Sequence, residues 1–283
     1  MNESAVVVQG LTKRFPLTWR RKIVVALDHL DLEVKKGEVF GLLGPNGSGK
    51  STTMKLLLGL IKPTSGTAHI FGEPVDSVEA KQRIGFLPEN PYFYKFLTGD
   101  ETLRFYGKLS GMHGAALEKK IDELIALVGL EHGRDRPLRA YSKGMLQRIG
   151  LAQALVHDPE LIFLDEPTAG VDPIGSREIR DLILRLKEMG KTVIFSSHLL
   201  EQVEEVSDRV AILHLGKKML EGNLQDLLLE EEATQIGVEG LPEAAQAAAR
   251  EALLQLGARE VSFRKPRISL EKLFLKVVEG RRS

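Results

Sequence analysis

Positions 44–52 read "GPNGSGKST", three glycines, a lysine and hydroxyl side chains set between the apolar run "EVFGLL" and the helix-like "TMKLLLGLI". Gly44, Gly49, Lys50 and Ser51 meet the spacing G-x-x-x-x-G-K-[ST], and the chemistry of that spacing is phosphate binding. Glycines let the backbone curl until successive N–H groups point inward, and the start of the following helix adds positive potential. Lys50 is placed to reach the β- and γ-phosphates. Ser51 is placed to offer its hydroxyl to Mg²⁺, a hard cation that takes few protein ligands. A glycine-rich turn capping a helix is the plainer alternative. A dinucleotide fingerprint is excluded, because Gly44, Gly47 and Gly49 do not supply G-x-G-x-x-G.

Three further segments carry groups that suit the same chemistry. "LIFLDEPTAGVDP" puts Asp165 and Glu166 at the end of a buried apolar strand. One carboxylate there would hold Mg²⁺ through water, and its neighbour would polarise a water for in-line attack on the γ-phosphate. "TVIFSSHLLEQ" ends a second apolar strand in His198, positioned to contact the γ-phosphate if both strand ends face one edge of a parallel sheet. A lone strand-end histidine is otherwise a packing residue. "YSKGMLQRIGLAQAL" opens with Ser142 as N-cap and Gly144 in the first helical turn, an N-terminus that suits an anion.

The elements that must position these groups are legible as apolar runs: "AVVVQG", "EVFGLL", "TAHIFG", "RIGFLP", "LIFLD", "TVIFSS" and "RVAILHL". Runs as continuous as "LIFL" fit strands buried on both faces of a mostly parallel sheet. Residues 100–157 read instead as a string of helices, a subdomain inserted into an α/β core. From about residue 233 the order strand, helix, strand, helix predicts a small α+β appendage.

The 283 residues carry 39 Lys and Arg against 39 Asp and Glu, so the formal charge is zero and there is no basic excess of the kind nucleic-acid binding favours. With no cysteine, disulfides and thiol chemistry are excluded. No apolar run reaches the length of a membrane span, and "MNESAVVVQG" does not read as a secretory leader. The expectation is a cytoplasmic chain.

In this order the motifs resemble those of the ATP-binding subunit of an ABC transporter, over about residues 5–225. The resemblance implies a P-loop NTPase fold: residues 1–225 as the ATPase domain, with a helical subdomain at about 90–157 inserted in it, and 226–283 as a C-terminal accessory appendage. It implies ATP and Mg²⁺ as cofactors. "GPNGSGKST" corresponds to the Walker A loop, with Asn46, Gly47, Gly49, Lys50, Ser51 and Thr52 at the nucleotide. "YSKGM" stands in the place of the LSGGQ signature, so Ser142 and Gly144 are implied contacts to a nucleotide held by another subunit. "LIFLDE" resembles Walker B, with Asp165 at the metal and Glu166 as base; His198 resembles the switch histidine, Lys50 the catalytic lysine, and Asp172 falls in the D-loop. "LTKRF" puts Phe15 where the family stacks an aromatic ring on adenine. Glu89, in "GFLPEN", stands in place of a metal-linked glutamine; an ionised Glu accepts but cannot donate a hydrogen bond. Lys143 and Met145 depart from the usual signature, which keeps its Ser and Gly here.

"LPEN", "YSKGM" and the terminal "SLEKLFLKVVEG" look most like the ATPases of bacterial ABC-2-type exporters. That resemblance implies a membrane-spanning permease partner, a homodimer or heterodimer of ATPase subunits, and a peripheral place on the inner face of the cell membrane. Residues 92–106 hold six of the chain's 11 Phe and 4 Tyr. In the family this region receives the permease; filling the helical subdomain's core is the alternative. A soluble ABC-type ATPase acting on DNA or ribosomes is the competing function, disfavoured by the zero net charge and by a single ATP-binding unit without heptads.

Overall fold

The computed structural model describes residues 4–17, 22–228, 242–256 and 261. Two compact units divide the chain, Met1–Leu227 and Leu228–Ser283. The first opens with β1 (Ser4–Leu17), β2 (Lys22–Lys35), β3 (Val39–Leu43), α1 (Lys50–Leu57), β4 (Ser65–Ile70), β5 (Glu73–Pro74), α2 (Val78–Gln82) and β6 (Ile84–Leu87). Three helices follow, α3 (Gly99–Leu109), α4 (Gly114–Leu127) and α5 (Lys143–Ala154). The chain then returns to α/β order through β7 (Leu161–Asp165), α6 (Pro173–Glu188), β8 (Thr192–Ser197), α7 (Leu200–Val206), β9 (Arg209–His214), β10 (Lys217–Asn223) and α8 (Leu224–Leu228). In the second unit the described element is α9 (Glu243–Gln255). The strands expected to flank it lie outside the described residues.

Six strands form one sheet in the order β10-β9-β3-β8-β7-β6, parallel except for β10 at its edge. Its central strands are buried along their whole length, as their unbroken apolar runs require. Alternation then divides their side chains between two cores. Val39, Leu43, Ile162, Leu164, Val193 and Phe195 face the helices, in a cluster that includes Leu103, Ile121, Ile149 and Ile183. Phe40, Leu42, Leu161, Phe163 and Ile194 face the other way, against Met54, Leu56 and Leu57 of α1 and the apolar face of a second sheet. That second sheet is antiparallel, in the order β2-β1-β4-β5.

Local sequence sets the helix starts. Thr98 and Glu101 cap α3 reciprocally, each side chain bonding the other's backbone N–H. Ser142 caps α5 by accepting from Met145 N–H at 3.2 Å. Asp172 caps α6 through Gly175 N–H at 2.9 Å, with Pro173 in the first turn.

Candidate functional site

β3, β8 and β7 are neighbours in the parallel sheet, and their carboxyl ends deliver the phosphate loop, His198 and the Asp165–Glu166 pair to one edge. The loop after β3 reaches α1 through left-handed backbone at Gly47 (φ 80°) and Gly49 (φ 111°). Gly47 has open space where a side chain would stand, whereas a Cβ on Gly49 would lie 2.9 Å from the Ala26 carbonyl oxygen. The loop is pinned by Ser48 N–H to Pro45 O at 3.1 Å and by Gly216 N–H to Ser48 O at 2.9 Å. Asn46 is exposed, and Ser51 and Thr52 are half-buried at the start of α1.

Lys50 is buried, its ammonium donating to Gly44 O at 2.7 Å and lying 3.4 Å from Glu166 Oε1. The other carboxylate oxygen of Glu166 is 2.9 Å from His198 Nδ1. Ser51 Oγ donates to Asp165 Oδ1 at 3.4 Å. One hydrogen-bonded cluster therefore holds Lys50, Ser51, Asp165, Glu166 and His198, with Ser196 between the two acids. The chain on either side of His198 is closed by Ser197, whose hydroxyl accepts from Leu199 N–H at 3.0 Å. Thr168 donates to Gln202 of α7, joining the segment after Glu166 to the helix after His198.

The donor set suits Mg²⁺. A serine hydroxyl and an aspartate carboxylate side by side are two hard oxygen ligands, leaving the remaining positions to phosphate and water. Among the described residues no group of three or more His, Cys, Asp or Glu forms a protein-only metal cage. Glu89 stands apart: its carboxylate is exposed, and its backbone carbonyl accepts from the buried Gln147 of α5 at 2.7 Å.

Other expected site residues sit elsewhere. Phe15 is partly exposed on β1, paired with Val24 of β2, with Lys13 Nζ 5.0 Å from its ring centre. The Asp172 carboxylate caps α6. Ser142 and Gly144 lie at the start of α5; among the described residues no hydrogen bond links either to the phosphate loop. Gly144 approaches Val171, and Lys143 lies over Gly170, where a Cβ would come within 2.6 Å of the ammonium. Sequence reasoning missed Ser196, Thr168 and Gln202. The polar doublet closing the apolar run of β8 was the available signal for Ser196.

A second feature is a groove of about 380 Å³, lined by Ile84, Phe86, Pro88, Tyr92, Phe93 and Tyr106 among others. Phe93 is buried in the helical core, so part of the aromatic concentration is packing. Tyr92 and Phe96 are 89% and 71% exposed, and Tyr94 bridges Phe96 and Phe105 at 5.8 Å. Burial, with Tyr94 adding to it, pushes the Tyr106 phenol up, so it stays a neutral donor.

The chain matches the family profile described as ABC transporter over residues 27–169. An ABC transporter ATP-binding protein of Synechocystis sp. is 41% identical over 287 residues, covering 93% of this chain and 81% of that protein. The bacitracin transport ATP-binding protein of Bacillus licheniformis is 47% identical over 199 residues, covering 69% of this chain and 64% of its own length. Among solved structures, the dimeric ATP-binding cassette MJ0796, in a post-hydrolysis state bound to ADP and Pi, superposes with a TM-score of 0.67. It is 28% identical, and the match covers 77% of this chain and 98% of that one.

Proposed function

This chain belongs to the ABC transporter ATP-binding family, and we propose that it hydrolyses ATP between two ATPase subunits to drive export through a separate membrane-spanning permease. Nucleotide binding and ATPase activity come with the family. The observation that carries the residue roles is the contact of Glu166 with both Lys50 and His198, beside the Ser51–Asp165 pair.

In this reading the loop N–H groups and Lys50 hold the β- and γ-phosphates. Ser51 and Asp165 hold Mg²⁺, whose charge offsets that of the phosphate oxygens. Glu166 accepts a proton from water as the water oxygen attacks the γ-phosphorus, and the bond to the β-phosphate oxygen breaks to leave ADP. His198 orients the Glu166 carboxylate and contacts the γ-phosphate. Ser142 and Gly144 serve the nucleotide of the facing subunit, an arrangement supported by the dimeric cassette that this chain resembles. Asp172 acts at the same interface by shaping the turn that α6 leaves. Phe15 stacks on adenine: Phe15→Ala should weaken ATP binding by about 1 kcal/mol and bring ATP and a non-adenine triphosphate to similar affinities, measured by fluorescence titration. Unchanged ATP affinity would move the adenine platform elsewhere.

The permease rests on two observations: the family's role in transport and the groove with its exposed rings. Among the described residues no helix is long and apolar enough to cross a membrane. Aromatic side chains along a concave surface of mixed polarity, with Gln153 and His157 in its lining, suit a docked helix. Residues 226–283 are then an accessory appendage, and the chain sits on the inner membrane face through its partner. The test is copurification from membranes with mass identification of what is bound. A partner with about six spans of some 20 apolar residues is expected. Tyr92→Glu with Phe96→Glu should abolish its capture while ATP hydrolysis by the isolated chain persists. Capture of ribosomes or DNA, with no membrane protein, would favour the competing soluble ATPase instead.

A further inference from the structure

We infer that Ser196 is a positioning residue that sets the metal-side and base-side carboxylates together, through one hydroxyl. Asp165 and Ser196 form the last residue pair between β7 and β8. One residue later, Glu166 turns into left-handed backbone, φ 48°, and its N–H leaves the ladder. Ser196 Oγ accepts that N–H at 3.0 Å and donates its proton to Asp165 Oδ1 at 2.6 Å. The direction is fixed by chemistry: an ionised Asp165 can only accept, and a backbone N–H can only donate. Ser196 is fully buried, so water cannot replace either bond.

A left-handed conformation is disfavoured for glutamate, and it persists where neighbours over-determine it. The end of β8 does so at two points, Ser196 on the Glu166 backbone and His198 on its carboxylate. The same hydroxyl takes one lone pair of Asp165 Oδ1, which orients the carboxylate beside Ser51. Losing it removes one constraint from each acid at once, and partners of this kind typically change metal affinity or activity by about 10- to 100-fold.

This inference rests on the roles given to Asp165 and Glu166 above. The test compares the parent chain with Ser196→Ala, Ser196→Thr and Ser196→Val, Thr and Val being nearly equal in volume and differing in the hydroxyl. Affinity for the fluorescent nucleotide TNP-ATP is measured in EDTA and in Mg²⁺, and kcat and KM for ATP are measured separately. For Ser196→Ala the expected result is EDTA affinity within about twofold of parent, a Mg²⁺-dependent gain in affinity smaller by about tenfold, and kcat lower by about 10- to 100-fold with KM little changed. Thr restores the parent values and Val does not. A parental kcat and Mg²⁺ response in Ser196→Ala overturns the inference, as do Thr and Val variants that behave alike. Should the added methyl prevent folding, Ser196→Ala decides alone. Glu166→Gln run beside them separates the two levels: if it retains activity, the base assignment fails, and if it is inactive while Ser196→Ala is parental, the positioning role alone fails.

Discussion

Glu166→Gln is expected to bind ATP as the parent does and to hydrolyse it roughly 100- to 10,000-fold more slowly, the range over which a positioned base contributes. The substitution isolates that role. Gln has the same length and shape, and an amide can still hydrogen-bond His198, whose ring nitrogen is 2.9 Å from Oε2. Backbone strain at φ 48° is common to both side chains. What is removed is the negative charge that draws a proton from water and the Coulombic partner of Lys50. Removing that partner leaves the ammonium freer to hold phosphate, so ATP should be retained. A stable ATP-bound dimer, seen by light scattering, is the expected species. Parental turnover would remove Glu166 from the base role.

The second large effect concerns two lesions that should cure each other. Lys50→Ala removes the buried ammonium from the phosphate loop, and Ser142→Arg replaces the cap of α5 with a bulky cation. Each protein alone should be nearly inactive. If Ser142 serves the nucleotide on a facing copy, a mixed dimer contains one site with an intact loop and an intact α5 start, and one site with both lesions. Random mixing of equal amounts then gives complete sites at about a quarter of the parental number, since half of the symmetric pairs are mixed. ATPase activity and ATP-dependent dimerisation of the mixture are measured together, because turnover that needs two competent sites would lower the first without the second. Failure of both under exchange conditions, with parent activity independent of concentration down to the monomer, would sink the shared site.

The parallel sheet was legible because its strands are apolar on both faces: "LIFLD" and "TVIFSS" carry no competing helical period. The phosphate loop and the three helices of the inserted block were legible for similar local reasons, Gly spacing in one case and caps with 3.6-residue periodicity in the other. The antiparallel sheet was not foreseen. β2 escaped notice although "LDLEV" alternates strictly, with Leu30, Leu32 and Val34 buried between exposed acids. Its pairing with β1 is that of consecutive strands, with Leu17 opposite Lys22, whereas the packing of their sheet over α1 is a tertiary contact that no local pattern states. The Asp172 cap was readable in "VDPIG", an Asp before Pro at a helix start. Ser196 was harder: its two bonds depend on register between strands 31 and 30 residues from their partners, and register is a property of the assembled sheet.

The strand order has a consequence for how the chain is made. β3 lies between β8 and β9, with Val39 opposite Val193 and Phe40 opposite Arg209. When β3 leaves the ribosome, neither neighbour has been translated. At about 5–20 residues per second, roughly ten to thirty seconds separate the emergence of β3 from that of β9. Until β8 emerges, shortly before β9, β3 carries two unpaired edges and an apolar sequence, the profile of a segment that seeks foreign strands. A nascent chain halted before β8 is therefore an aggregation hazard, and it cannot be a weaker version of the finished protein. α1 and the antiparallel sheet, both encoded within the first 74 residues, are the available shield for one face of β3 during that wait.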